Sequence, residues 1–168
     1  MAMPVEAFFE HNAWANERLI ELCAGLSDEQ LDATAIGTFG SIRETLLHTV
    51  GTEQRYLRRL GAAVVADAAE GVAFPGFEVL GRAARAGGAA LARVARETGA
   101  AEVVRDGEGF AEARTSVLLV QVLNHSAEHR TQVAAIFAAL GVGPRDLDEQ
   151  IDGWSWGVAT GQLRPSGG

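Results

Sequence analysis

The chain's architecture is read most directly from VLNHSAEHRTQVAAI, residues 122–136. In a helix, residues i and i+4 share a face, so His125 and His129 project side by side and both imidazoles can reach a single ion. Working outward, Leu118, Val122, His125, His129, Gln132, Ile136 and Leu140 follow steps of four and three, the period of a buried helical stripe. Two histidines and a glutamine therefore stand at core-facing positions. A lone core histidine ordinarily hydrogen-bonds a carbonyl. A pair at ligand spacing, in a chain holding only 4 histidines, favours metal binding over packing.

Composition narrows the function. With 168 residues and 48% hydrophobic content, the chain can bury one real core, and a single domain over residues 1–163 is expected. The formal net charge of -8 offers no electrostatic footprint for phosphate backbones or anionic lipid, which disfavours nucleic-acid and membrane partners. No basic start followed by an apolar segment and no apolar run of membrane-spanning length is present. A cytoplasmic protein is expected. The single cysteine, Cys23, lies between Leu22 and Leu26 in a helical pattern and reads as packed, which suits a reducing compartment.

Taken in order, residues 4–26 form a first helix with Phe8, Ala15, Leu19, Leu22 and Leu26 inward and most of His11, Asn12, Glu17, Arg18 and Glu21 on a solvated face, His11 reading as a surface histidine or as a support beside the site. Pro4 suits its first turn, and Gly25 and Ser27 end it. Residues 27–30, SDEQ, are a capping box for a short turn, and residues 41–44, SIRE, repeat that signal at the start of a second helix reaching Leu60. Its apolar face holds Ile42, Leu46, Val50, Leu57 and Leu60, while His48 falls on the flank beside Thr45 and Thr52. Residues 61–76 end in Phe74-Pro75-Gly76 and read as an ordered connection. A third helix over residues 77–98 carries Leu80, Ala84, Gly87, Leu91 and Val94. Its Gly87-Gly88 pair costs roughly 1 kcal/mol per glycine relative to alanine and signals a close helix approach. A turn at residues 106–109, with Val103, Val104 and Phe110 as a short extended excursion, leads to Thr115 as cap of the fourth helix. That helix stops at Gly141. The following Leu147, Ile151, Trp154 and Trp156 are too apolar to be free, and residues 164–168 are expected to be disordered.

Four long amphipathic helices without a strand series predict an all-α, antiparallel up-down four-helix bundle, an architecture that builds metal sites from facing helices. The segments NAWANERLI (residues 12–20), FGSIRETLLHTVGTEQRYL (39–57) and LLVQVLNHSAEHRTQVAAIFAALG (118–141) resemble the DinB/YfiT-like metalloprotein superfamily. The most specific element is His-x-x-x-His-Arg-x-Gln followed by an apolar run to Leu140-Gly141. The resemblance implies one divalent ion held by three histidines, which fall here on His48, His125 and His129. It thereby promotes His48 from flank to ligand and requires the edge of Thr45, His48 and Thr52 to face the bundle. The shared family name carries no implication for DNA.

Three imidazoles leave coordination positions open, as catalytic zinc sites do. Zinc ranks first, and nickel, iron or manganese also accept imidazole. The resemblance further implies a low-molecular-weight thiol, such as mycothiol or bacillithiol, held by the ion for transfer to an electrophile or for isomerisation, in a homodimer. A metal-dependent hydrolase and a non-enzymatic metal-binding stress-response protein are the alternatives. No residue is singled out as catalytic. Gln121 and Gln132 flank the ligand stripe as candidates to support an imidazole. Glu53 is a candidate buried, paired carboxylate or a support for the site, and Arg130 a structural ion-pair partner. The match of residues 125–129 to His-x-x-Glu-His is set aside because Glu128 turns away from the His129 face.

Overall fold

The structure, a computed structural model, describes residues 5–62, 73–97, 102–105, 112–144 and 147–163. Helices dominate it: α1 (Glu6–Cys23), the short α2 (Asp28–Leu31), α3 (Ile42–Arg59), α4 (Phe77–Glu97), α5 (Thr115–Leu140) and α6 (Gly153–Ala159). Both capping boxes form. Ser27 accepts from the Gln30 N–H and Ser41 from the Glu44 N–H, and each N3 side chain reaches back to the cap residue's own N–H. At Gly40 a Cβ would stand 2.6 Å from Glu44 Oε2, so glycine leaves room for that carboxylate to fold back at the start of α3. The excursion before α5 is a two-stranded pairing of β1 (Val103–Val104) with β2 (Ala113–Arg114), antiparallel. Thr115 does not cap α5. Its N–H and hydroxyl both go to the Glu102 carbonyl, at 2.8 and 3.1 Å, and tie the helix start to β1 instead. Pro4, Phe110, the turn at 106–109, most of the 61–76 connection and the 164–168 tail lie outside the described residues.

The four long helices close a ring in which α1 and α3 each pack against both α4 and α5. Their directions differ from the expected up-down alternation. One apolar cluster joins Leu19, Ile20, Leu46, Val50, Leu80, Val133 and Phe137, and a second joins Phe9, Leu57, Leu91, Val94, Leu119 and Val122. Passing from the second cluster to the first, α1 and α5 ascend in number while α3 and α4 descend. Consecutive α3 and α4 are therefore parallel. The reason lies in residues 60–76, long enough at about 3.3 Å per residue to return along an 18-residue helix of about 27 Å. Phe74, near the end of that connection, lies against the start of α3, under the Arg43 guanidinium at 5.7 Å. Antiparallel order follows from short loops, and this one is long.

Periodicity places the inner faces of α3 and α4 correctly. On α1 it places Ala15, Leu19 and Cys23 correctly but not the rest of the face, since Phe8 is exposed and Phe9, Asn12 and Asn16 are buried. Two asparagines on the true inner face disguised it as polar. The Gly87-Gly88 pair does mark a close approach: a Cβ on Gly88 would lie 2.3 Å from Ala13 Cβ, and one on Gly87 would lie 2.6 Å from Gln54 Nε2. Gly81, on the same helix, faces open space, with nothing within 4 Å of such a Cβ. Gly88→Ala is accordingly expected to lose about 1–3 kcal/mol of stability through overpacking, whereas Gly81→Ala gains up to about 1 kcal/mol of helix propensity. Urea unfolding of the two variants decides it, and equal effects would refute the close packing of α1 on α4.

Candidate metal centre

Three imidazoles meet where α3 faces α5. His48 Nε2 lies 3.0 Å from His125 Nε2, and His129 Nε2 lies 3.1 Å from the same atom. Among the described residues these three form a group whose ligand atoms lie within 4.8 Å of one another. An ion fits such a set: tetrahedral zinc with bonds of about 2.0–2.1 Å holds nitrogens about 3.3–3.4 Å apart, close to the two separations from His125 Nε2. His129 is buried and the other two are half-buried, so the group opens toward solvent on one side.

The helix pattern explains how His48 reaches this position. Thr45 and Thr49 donate their hydroxyls to the carbonyls of Ser41 and Thr45, both at 2.7 Å, and can therefore be buried without a partner from another element. With Thr52 they extend the inner face of α3 around to His48, an extension that counting apolar residues alone does not register.

Gln132 secures His129 from outside. The Phe39 main-chain N–H donates to Gln132 Oε1 at 3.0 Å, and His129 Nδ1 lies 2.9 Å from that same oxygen. A main-chain amide only donates, so the amide oxygen faces both groups and His129 Nδ1 carries the proton. The Nε2 lone pair then points into the cluster, the arrangement that a metal-bound histidine needs. Phe39 also lays its ring on His48, with centroids 4.1 Å apart and planes at 16°, and meets His129 edge-on at 5.5 Å. Phe39 escaped the sequence reading. Its only signal was an aromatic residue in a glycine-bounded loop just before the capping box of the histidine-bearing helix.

A model of the DinB family matches residues 1–158. The chain belongs to the DinB family. Among solved structures, a DinB-like protein from Bacillus cereus shares the fold with a TM-score of 0.65 at 14% identity, over 85% of this chain and 97% of that one. No curated protein matches the chain.

Behind the histidines of this DinB-family chain lies a buried polar layer that separates the two apolar clusters. Glu53 Oε1 accepts from Asn12 Nδ2 at 2.8 Å, Asn16 Nδ2 at 2.9 Å and Ser126 Oγ at 2.8 Å. The two asparagine oxygens in turn each accept from Arg130 Nη1 at 2.7 Å. Glu53 is thus a buried carboxylate bridged by amides to a buried guanidinium, and it bonds none of the imidazoles. Gln121 is exposed and contributes no support, and Glu128 is exposed as well. His11 is neither a ligand nor a surface residue. Its Nε2 lies 3.1 Å from the Ile151 carbonyl, and its ring sits between Trp14 and Trp156, so it holds the tail on α1. Trp154 is exposed, and neither tail tryptophan seals the site.

Burial pushes the Glu53 carboxyl above its ordinary pKa, against the pull of Ser126, Asn12 and the Arg130 charge. Burial likewise lowers the pKa of Arg130, which the Glu53 charge opposes. With the folded pKa raised, the stabilising contribution is present below the ordinary carboxyl pKa and is lost as the pH rises through the folded one. Arg130→Met leaves the charged carboxylate uncompensated and is expected to cost about 3–5 kcal/mol near neutrality, less at pH 5 than at pH 8. Adding Glu53→Gln recovers part of that loss. Chemical unfolding at both pH values checks this, and a pH-independent loss with no recovery would mean that the two charges are not coupled.

Proposed function

We propose that this DinB-family chain holds one divalent transition-metal ion on His48, His125 and His129 and uses it in transfer or isomerisation chemistry with a low-molecular-weight thiol. The observation that carries the metal reading is the convergence of three Nε2 atoms, one of them with its lone pair aimed inward by Gln132. Three neutral nitrogen ligands with an open side suit zinc first and nickel, iron or manganese next. When bound, the ion would supply a Lewis-acid centre that lowers the pKa of a coordinated thiol to give a thiolate near neutral pH.

The chain's own thiol does not compete for that role. Burial pushes Cys23 up to about 12, and it is the single cysteine present, so the nucleophilic sulfur is supplied by the substrate. In the transfer, that sulfur forms a carbon–sulfur bond, the electrophile's leaving group departs with its electron pair, and the thiol proton passes to solvent. The half-exposed edges of His48 and His125 provide the entry side, and the apolar wall formed by Phe39 excludes water from part of it. A small thiol and an electrophile are the proposed partners, acting on a cytoplasmic homodimer. No described helix is long and apolar enough to cross a membrane.

Elemental analysis of untagged protein, expressed without added metal, tests the first half. Near one transition metal per chain in the wild type, lost in His129→Ala, is the expected result, and metal in neither even after zinc or nickel is supplied would remove the reading. The second half is tested by incubating loaded protein with a thiol and an electrophile. Conjugation should require the metal and persist in Cys23→Ser, while native Cys23 should resist a maleimide at neutral pH. Metal-loaded protein that accelerates no thiol reaction would leave a binding protein without this chemistry.

A further inference from the structure

Phe39, in the loop before α3, touches His48, His129 and Gln132. Its ring stacks on His48 at 4.1 Å and stands edge-on to His129 at 5.5 Å. Its main-chain N–H shares the Gln132 oxygen with His129 Nδ1. Yet the residue is 54% exposed, so burial alone does not account for its place. The loop is built to hold it there: Gly37 turns with φ +85, the Thr38 hydroxyl donates to the Ala35 carbonyl at 2.9 Å, and Gly40 admits Glu44 beneath.

We propose that Phe39 is a positioning residue for the metal ligands, steering His48 with its ring and His129 through Gln132 with its main-chain N–H. The proposal rests on the three-histidine metal reading. Two ligands from α3 and α5 are thereby held by one loop residue that is itself no ligand. The coupling runs in both directions. An ion on Nε2 requires the proton of His129 on Nδ1, which keeps the Gln132 oxygen engaged and Phe39 tethered. The structure holds that tautomer already, and an ion on Nε2 excludes the other one, in which Nδ1 and the Gln132 oxygen would both be acceptors and the link would be lost. By linkage, whatever metal binding adds to the tether, the tether adds to metal binding.

The test measures zinc affinity by competition with a chromophoric chelator, beside the melting temperature of the chelator-treated protein and hydrogen exchange at the Phe39 amide. Phe39→Ala, which keeps the main-chain donor, should bind zinc roughly two- to ten-fold more weakly, the scale of a lost aromatic contact, and Phe39→Tyr should restore it. Gln132→Met should weaken binding by roughly 10- to 100-fold, and Gln132→Glu, which keeps an acceptor oxygen, should recover most of that. None of these should shift the metal-free melting temperature by more than a degree or so. In the wild type, zinc should slow exchange at the Phe39 amide, and in Gln132→Met it should not. A wild type that binds no zinc overturns both this proposal and the metal reading. A wild type that binds zinc, with unchanged affinity in Phe39→Ala and Gln132→Met or no zinc effect on Phe39 exchange, overturns only the positioning role.

Discussion

A single carboxylate oxygen sets the constraint on which the rest of the structure depends. Glu53 Oε1, deep between the helices, takes hydrogen bonds from two asparagines of α1 and a serine of α5, and those asparagines carry Arg130 of α5 on their other ends. A buried charge is tolerated only when it is paired and hydrogen-bonded. Apolar contacts can slide or rotate at little cost, whereas these bonds admit one rotation for each of α1, α3 and α5. A turn of a helix by one residue is about 100°, enough to break the bonds of Glu53 Oε1 or Arg130.

The histidines inherit their places from that layer. Ser126 and Arg130 each follow a ligand candidate by one position, so bonding them inward leaves His125 and His129 on the neighbouring edge, turned toward α3. His48 arrives opposite because α3 buries its threonine edge. The cluster is thus gripped from inside by a polar layer and from outside by Phe39 and Gln132. Its remaining side faces solvent. The three imidazoles are thus oriented by their neighbours, as the ligands of a preorganised metal site would be.

Two neighbouring contacts of α1 are secured differently. Between α1 and α4 the contact relies on small residues, with Gly88 against Ala13, and brings the helices close enough for extensive dispersion contact. Between the tail and α1 the contact is carried by His11 and the Ile151 carbonyl. The first is written in the glycine pair and was anticipated. The second was not, because a histidine beside aromatic residues reads equally well as a surface group until the tail is seen folding over it.

By itself the sequence determined the helical class, both capping boxes, the inner faces of α3 and α4, and the pairing of His125 with His129. All of these are local: they follow from helical period and from side chains bonding the backbone three residues away. His48 entered only by resemblance to a family, since periodicity leaves it on a flank. Only the tertiary structure decided the parallel course of α3 and α4, the inward turn of Asn12 and Asn16, the bridging of Glu53 to Arg130, and the place of Phe39. Each depends on contacts between residues far apart in the chain, where a polar side chain is satisfied by a partner that no local pattern announces. Polar residues at buried positions look like surface in a sequence, and they become interior only when the helices that complete their hydrogen bonds are in place.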